Sequence, residues 1–350
     1  MSLGLYSIIE GQYLHDILDQ PQALRATLEY LRTRRDISRR ISEIREQGYA
    51  RIILTGMGSS LHALYPLNLM LAAHGETVCQ IETSELIHSM PSVLRSDSVI
   101  VAASQSGQSA EILRLLQQNE GRAKVIGISN TEDSPLVRDA DFQILTRCGE
   151  EFSVSAKTYV GALLALEVFG ALWCGSDHVE VCSELSDVAE HVAGYLADWR
   201  EHVNTMAGLL TGIRQLFVLG RGRSLASCRT GALIVKESTR LFAEAMSSAA
   251  FRHGPIEALD GETLVIVFDG DPSTRELNRK LVKEIRDREG QTWLIGAGAE
   301  VPALQIPDGL PRALPILEIL PIQMLTLALA ARSGFEAGRF EYAMKITAEE

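Results

Sequence analysis

The sequence contains one pattern twice, and this repeat constrains the fold more than any other feature. Short β-rich runs alternate with helix-length segments in the first half of the chain, and the alternation resumes in the second half. Each series begins with a G-x-G-x-S turn, at Gly56–Ser60 and at Gly220–Ser224, 164 residues apart. The strands predicted near Val99 and Leu264 are 165 residues apart. Two matching offsets in the same order predict a duplicated α/β domain rather than one long sheet.

Most of the β-rich runs are continuously apolar, which is typical of parallel strands covered by helices on both faces. The predicted strands are Arg51–Thr55, Val78–Glu82, Ser98–Ala103, Lys124–Ser129, Phe142–Thr146, Gln215–Leu219, Thr263–Phe268 and Thr292–Gly296. Helices are predicted over 9–47, with one break, and over 60–74, 108–119, 224–241, 278–289 and 314–333. The apolar stretch Tyr159–Gly175 contains Glu167 and is shorter than the roughly 20 residues of a membrane span, so we expect a buried core helix.

Charge and cysteine content narrow the possible partners. The 350 residues include 45 acidic and 33 basic side chains, for a net charge of −12. This balance argues against nucleic acid, which needs Lys and Arg, but not against small anions, which backbone N–H groups and hydroxyls can bind. Five widely spaced cysteines form no metal or redox motif and predict buried free thiols. Since the sequence also begins without a signal-peptide pattern, we expect a cytoplasmic protein that does not associate with a membrane and needs no metal or cofactor.

A hydroxyl-rich loop is the sharpest local feature. Residues Ser104–Ser109 (SQSGQS) follow the predicted strand Ser98–Ala103 directly and precede a helix. The carboxyl ends of parallel strands are where open α/β sheets bind ligands, and a helix N-terminus supplies free N–H groups and a partial positive charge. A single serine would suffice to cap the helix. The loop therefore predicts an anion site without net positive charge.

This loop resembles the S-Q-S-G-E-T loop of sugar isomerase (SIS) domains, and further motifs follow in the order of the two-domain isomerase half of glutamine-dependent glucosamine-6-phosphate synthase. The resembling segments are Gly56–Ser60, Thr83-Ser84-Glu85, Ser155-Ala156-Lys157, Gly220-Arg221-Gly222, Lys236-Glu237, His253-Gly254-Pro255 and Ala343–Thr347. The resemblance covers nearly the whole chain. It implies two tandem, doubly wound (flavodoxin-like) parallel-sheet SIS domains with a helical N-terminal lead-in.

The expected division is a lead-in over 1–45, a first SIS domain over 46–175, a helical connector over 176–210, a second SIS domain over 211–336 and a closing tail over 337–350. The resemblance implies a phosphorylated sugar as substrate and a homodimer. The residues implied to bind the sugar or its phosphate are Ser59, Ser60, Ser104, Gln105, Ser106, Ser109 and Ser155.

Three residues are implied to do the chemistry. Glu237 would move a proton between C1 and C2 of the open-chain sugar, as a carboxylate on a rigid helix can. His253 would open the sugar ring from the partner subunit, since imidazole exchanges protons near neutral pH. Lys345 in the tail would close over the substrate. Without the ordered set of motifs, each would be interpreted as an ordinary side chain with no catalytic role.

The chain departs from the synthase pattern at Ile234, where the family has lysine, and at Gln108 and Thr230, where it has glutamate. It also shows no glutaminase segment, so synthase chemistry is not expected. The favoured activity is isomerisation or deamination of a phosphorylated aminosugar or ketosamine. The alternatives are a deglycase that cleaves a phosphorylated sugar–amino acid adduct, such as a fructosamine 6-phosphate, and a non-catalytic sugar-phosphate-binding protein.

Overall fold

The computed structural model describes residues 7–210, 212–288, 290–342 and 344–347. Parts of the predicted lead-in (1–6) and tail (Ala343 and 348–350), together with Thr211 and Glu289, lie outside the described residues. The chain divides into two compact units. The first unit contains Gln20–Glu151, Lys157–Ala189 and the chain from Tyr342 onward, and the second contains the chain up to Asp19, Phe152–Ala156 and Glu190–Glu341.

The first unit contains a five-stranded sheet in the order β2-β1-β3-β4-β5, in which every neighbouring pair is parallel. This is the order of flavodoxin-like doubly wound sheets, and it confirms the predicted fold class. The strands are β1 (Arg51–Gly56), β2 (Val78–Glu82), β3 (Ser98–Ala103), β4 (Lys124–Ser129) and β5 (Phe142–Leu145).

The second unit contains a four-stranded parallel sheet with the corresponding order β7-β6-β8-β9. Its strands are β6 (Gln215–Gly220), β7 (Phe242–Ser247), β8 (Thr263–Phe268) and β9 (Gln291–Ile295). The sequence does not predict β7, because Glu244 interrupts its apolar residues and leaves no continuous apolar run; the structure leaves Phe242 58% exposed. Its place beside β6 matches that of β2 beside β1, so the duplication includes the edge strands.

Helices connect the strands and cover the sheets. In the first half of the chain they are α1 (Gln12–Leu18), α2 (Gln20–Thr33), α3 (Ile37–Arg45), α4 (Gly58–Ala63), α5 (Tyr65–Ala73), α6 (Thr83–His88), α7 (Ala110–Asn119), α8 (Pro135–Asp139) and α9 (Lys157–Trp173). In the second half they are α10 (His178–Glu184), α11 (Val188–Ala197), α12 (Trp199–Leu209), α13 (Ser224–Thr239), α14 (Ser248–Phe251), α15 (Arg275–Arg286) and α16 (Leu314–Ser333). The helix predicted over 60–74 is wrong as one element, because α4 ends at Ala63 and α5 begins at Tyr65. Pro66 lies in the first turn of α5, where its missing N–H breaks no helical hydrogen bond.

Each unit has its own apolar core. In the first unit Ile53 and Ile100 of the sheet pack with Leu115 of α7, and in the second unit Phe217 and Val265 pack with other buried apolar side chains. Complete burial of such a side chain stabilises the fold by about 1.5–3 kcal/mol. The predicted core helix is α9, which is buried along nearly its whole length.

Among the described residues, one helical stretch, Pro311–Ser333, has the length and apolar composition of a membrane span. Its most apolar window is 94% buried inside the protein, as in the core helix of a globular domain. All five cysteines are free, but the expectation that all are buried is wrong, since Cys79 is exposed and Cys174 is half-buried.

Candidate functional site

In the first unit, the G-x-G-x-S turn and the hydroxyl loop lie at the same edge of the sheet. Strands β1 and β3 are parallel neighbours, with Gly56 at the end of β1 paired to Ala103 at the end of β3. The chain leaves β1 towards β2 on one side and leaves β3 towards β4 on the other. This switch point is the place where open parallel sheets form a crevice for ligands.

The glycines of the first turn are required by the close approach of the two strand ends. A Cβ atom on Gly56 would lie 2.7 Å from the carbonyl oxygen of Ala103, too close for any side chain. Gly58 begins α4 with φ of +49°, a conformation that favours glycine. The turn places Ser59 and Ser60 in the first turn of α4, and the hydroxyl of the buried Ser59 has no protein partner among the described residues.

The hydroxyl loop folds back on itself through its serines. The hydroxyl oxygen of Ser104 accepts a hydrogen bond from the N–H of Gly107 at 3.1 Å, and that of Ser106 accepts one from Gln108 at 3.3 Å. Ser109 occupies the N-cap position of α7, yet its side chain makes no capping hydrogen bond. The loop is therefore more than a capped helix start, and it presents an uncharged set of hydroxyls beside the N-terminus of a ten-residue helix.

A second segment, which sequence analysis did not single out, braces this loop. The carbonyl oxygen of Gln105 accepts hydrogen bonds from Asn130 N–H at 3.1 Å, from the Ser129 hydroxyl at 3.3 Å and from the Thr131 hydroxyl at 3.4 Å. The carbonyl of Gly107 accepts one from Leu136 N–H at 3.0 Å. The polar run SNTEDS after β4 was the available signal. These bonds hold the loop in one conformation before any ligand arrives, which lowers the entropic cost of binding.

Polar contacts attach the described part of the C-terminal tail to the same unit. Lys345 lies 2.5 Å from a carboxylate oxygen of Glu151, and the carbonyl of Thr347 accepts a hydrogen bond from Ala110 N–H at 3.1 Å. Ala110 is the first residue of α7, next to Ser109 of the hydroxyl loop. Sequence analysis predicted Lys345 but missed Glu151.

The other predicted site residues lie in the second unit. Glu237 is half-buried in the last turn of α13, and His253 is exposed just after α14. Gly254 has φ of +131°, which explains a glycine after this histidine. Ser155 is half-buried and lies in the segment Phe152–Ala156, which belongs to the second unit.

Two departures from the synthase pattern are core positions on α13. Ile234 and Thr230 are both fully buried in the second unit. The helix carrying Glu237 thus presents buried side chains at the positions where the synthase pattern has a lysine and a glutamate.

The switch point of the second sheet has different chemistry. Asp269 and Asp271 stand 165 residues after Ser104 and Ser106, so carboxylates replace two loop hydroxyls. Asp269 is 2% exposed and accepts two 2.8 Å hydrogen bonds from the Arg279 guanidinium. The buried carboxyl of Glu318 accepts a hydrogen bond from the Ser224 hydroxyl at 2.7 Å, and burial raises its pKa to about 8. Asp269 also contacts Arg275, so both guanidinium groups beside this carboxylate are already paired with it, and the carboxylate itself would repel a phosphate.

No group of three or more His, Cys, Asp or Glu side chains suited to a metal ion occurs within the described part of the chain.

The sequence matches the SIS domain family over residues 43–172 and 209–304, which is well over half of the chain. The protein therefore belongs to the SIS domain family, with one match in each repeated half.

Comparison with individual proteins supports the same family. The chain is 28% identical, over 94% of its own length and 57% of the relative's, to glutamine–fructose-6-phosphate aminotransferase (isomerizing) of Pyrococcus horikoshii. The chain spans about half the length of the curated relatives that it matches.

Solved structures show the same fold. The C-terminal domain of glucosamine-fructose-6-phosphate aminotransferase from Francisella tularensis superposes with a TM-score of 0.83 at 22% identity, covering 94% of this chain and 98% of that one. Glucosamine-6-phosphate deaminase from Thermotoga maritima superposes with a TM-score of 0.75 at 20% identity, covering 93% and 96%.

Proposed function

We propose that this protein is a cytoplasmic enzyme that isomerises or deaminates a phosphorylated aminosugar or ketosamine by moving a proton between C1 and C2. One observation carries the proposal: the hydroxyl loop Ser104–Ser109 is held in place at the switch point of the first sheet, beside a helix N-terminus. This arrangement suits a sugar phosphate, because hydroxyl and N–H donors surround an anion without burying a competing cation.

In this proposal the phosphate is bound by Ser104, Gln105, Ser106 and Ser109 of the hydroxyl loop and by Ser60, with Ser59, of the first turn. Ser155 contributes a further hydroxyl to the substrate. The hydroxyl loop follows β3 and the first turn follows β1, and the ends of these two strands are paired neighbours in the sheet. The second switch point is acidic, so we expect one phosphosugar per chain.

Glu237 acts as the base that transfers the proton. A carboxylate on the last turn of a sixteen-residue helix is held firmly, and one oxygen poised over two adjacent carbons can serve both in turn. His253 is exposed, so it is available to a second subunit of a homodimer, where it opens the sugar ring. Lys345 covers the substrate from the tail.

Isomerisation and deamination are favoured over amination by the α13 helix. Position 234, where the synthase pattern has lysine one turn before Glu237, carries the fully buried and uncharged Ile234. The names of the compared proteins, an isomerizing aminotransferase and a glucosamine-6-phosphate deaminase, agree with proton transfer on aminosugar phosphates.

The test is to incubate the protein with a panel of aminosugar phosphates, ketose phosphates and fructosamine phosphates, and to identify the product and any released amine. Release of ammonia or an aldose–ketose conversion supports the proposal. Release of a free amino acid would show a deglycase instead, and binding without turnover of any panel member would show a sugar-phosphate-binding protein.

The variant Glu237→Gln assigns the base. We expect it to retain phosphosugar binding and to lose turnover by a factor of about 1,000 or more, because the amide cannot accept the proton. The matched control is Glu276→Gln, whose side chain in the same unit is 85% exposed, and it should turn over at the wild-type rate. Unchanged turnover in Glu237→Gln would remove this residue from the mechanism.

A further inference from the structure

We propose that Glu151 is the positioning residue for Lys345: through a buried carboxylate, it holds the C-terminal tail across the start of the hydroxyl-loop helix. The inference rests on the proposed function for its catalytic consequence, but not for its structural one. Glu151 belongs to none of the motifs that carry the family resemblance.

The geometry of Glu151 is well defined. One carboxylate oxygen accepts a hydrogen bond from Thr158 N–H at 3.0 Å, and the other accepts one from the Thr158 hydroxyl at 2.7 Å. The second oxygen also lies 2.5 Å from the Lys345 ammonium. The Glu151 side chain is fully buried, whereas that of Lys345 is 24% exposed. Since Thr158 lies in the first turn of α9, the carboxylate is fixed to a core helix before the lysine arrives.

Burial decides how much this pair contributes. A carboxylate removed from water needs donors on both oxygens, and removing one partner of a buried pair is far more costly than breaking an exposed one. Lys345 supplies the opposite charge, and Thr158 supplies the neutral donors. The pair is therefore a strong constraint on the tail, unlike the surface ion pairs elsewhere on this chain.

The tail gains little from apolar burial. Within 342–347, the part of the tail beside the hydroxyl loop, the apolar side chains of Tyr342 and Met344 are 92% and 70% exposed. Ile346 is half-buried. Polar contacts must then do most of the anchoring, and among the described residues they include Glu151 with Lys345 and Ala110 with Thr347.

The second contact places the tail against the candidate phosphate site. The carbonyl of Thr347 accepts a hydrogen bond from the N–H of Ala110, the first residue of α7, which directly follows Ser109 of the hydroxyl loop. With Lys345 held by Glu151, the tail is pinned on either side of residue 346. Loss of the Glu151 contact should weaken the attachment of the tail at Lys345 and at the neighbouring Thr347, and so let the tail separate more often from the loop.

The first experiment is independent of any sugar. Trypsin cleaves after lysine, but it must draw the Lys345 side chain into its own pocket, so cleavage reports the open state of the tail. We expect Glu151→Gln to speed cleavage after Lys345 by about tenfold or more, measured by mass spectrometry of the shortened chain. The control is Thr158→Val, which removes a hydroxyl from the same carboxylate but leaves the charge pair, and it should change the rate much less.

The second experiment measures turnover of the substrate found by the panel. Glu151→Gln should lower kcat/KM, and Lys345→Gln should lower it at least as much, because Lys345 also covers the substrate. The double variant should lose no more than Lys345→Gln alone, because Glu151 acts through the lysine. Glu151→Asp, which keeps the charge but shortens the side chain, should recover part of the activity. A purely structural role would instead give additive losses that follow the melting temperature.

The outcomes separate the two proposals. Equal trypsin cleavage in wild type and Glu151→Gln, with both folded by thermal melting, would overturn the positioning role whatever the substrate is. Faster cleavage together with unchanged kcat/KM would show a tail anchor with no catalytic consequence, which also overturns it. Faster cleavage in a protein that turns over no panel member would leave the anchor standing while the proposed function fails.

Discussion

The guanidinium of Arg240 lies over the ring of Phe335, 4.6 Å from its centroid, and also pairs with Glu341. Arg240 ends α13 in the left-handed conformation, with φ of 59°, three residues after Glu237. The end of the helix that carries the proposed base is therefore connected to the segment from which the C-terminal tail departs.

The variant Arg240→Gly distinguishes the contribution of these contacts to stability from the cost of backbone strain at Arg240. Glycine relieves the left-handed conformation by about 0.5–1 kcal/mol, whereas loss of the cation–π and ion-pair contacts costs about the same or more. We expect a net change near zero in the free energy of unfolding, with faster hydrogen exchange over 335–341.

The matched control is Glu120→Gly, because Glu120 is an exposed helix-ending residue with φ of 50°. It should gain about 0.5–1 kcal/mol of stability in urea unfolding. If Arg240→Gly were stabilised just as much, its contacts with Phe335 and Glu341 would contribute nothing measurable.

Gly107 tests whether the hydroxyl loop needs its present conformation. A Cβ atom there would lie 2.2 Å from the Ser134 hydroxyl oxygen, and φ is +63°. We expect Gly107→Ala to cost about 3 kcal/mol or more of stability, or to displace the bracing segment and abolish phosphosugar binding. Thermal melting and titration calorimetry would measure both effects.

Gly121→Ala is the control for Gly107, since it has a similar φ of +72° and no atom within 4 Å of the new Cβ. It should cost only about 1 kcal/mol and leave binding intact. Equal effects of the two alanines would mean that the contact with Ser134 does not matter.

The sequence predicted much of this fold because its central strands are continuous apolar runs that only a covered parallel sheet accommodates. Strand β7 was not predicted because Glu244 interrupts its apolar residues, and the structure leaves Phe242 exposed. The serines of the loop were visible because they are adjacent in sequence. Glu151 was not, because its partner Lys345 is 194 residues away and nothing local distinguishes it from Glu150.

The carboxylates at the switch point of the second sheet predict how a negative charge in the hydroxyl loop of the first sheet would change phosphosugar affinity. Ser104→Asp places a carboxylate in the loop where the second copy has Asp269. Since like charges repel strongly at a few ångströms, phosphosugar affinity should fall by about 100-fold or more, while wild type binds one ligand per chain. Titration calorimetry gives both numbers.

Gln108→Glu is the control, because it adds the same charge at an exposed position of the same loop. It should change affinity only a few-fold, through solvent screening. A stoichiometry of two ligands per chain, or equal losses in the two variants, would contradict the assignment of the phosphate to the first switch point.

The pH dependence of stability should contain a contribution from Glu318. Burial, together with the charges of Asp271 and Asp269, raises its pKa from 4.5 to about 8 in the folded protein, while the Ser224 hydroxyl lowers it. The folded state thus holds this proton more tightly than the unfolded state. The corresponding stability is complete below about pH 4.5, is lost as the pH rises towards 8, and changes little beyond.

Glu318→Gln removes that proton equilibrium at nearly the same volume. Near pH 5 the variant and wild type should have similar free energies of unfolding, and by pH 9 the variant should be more stable by roughly 3–5 kcal/mol. Urea unfolding at pH 5, 7 and 9 measures the difference. A constant difference across this range would mean that Glu318 does not change its protonation on unfolding, and that the buried carboxyl at the second switch point is ionised throughout.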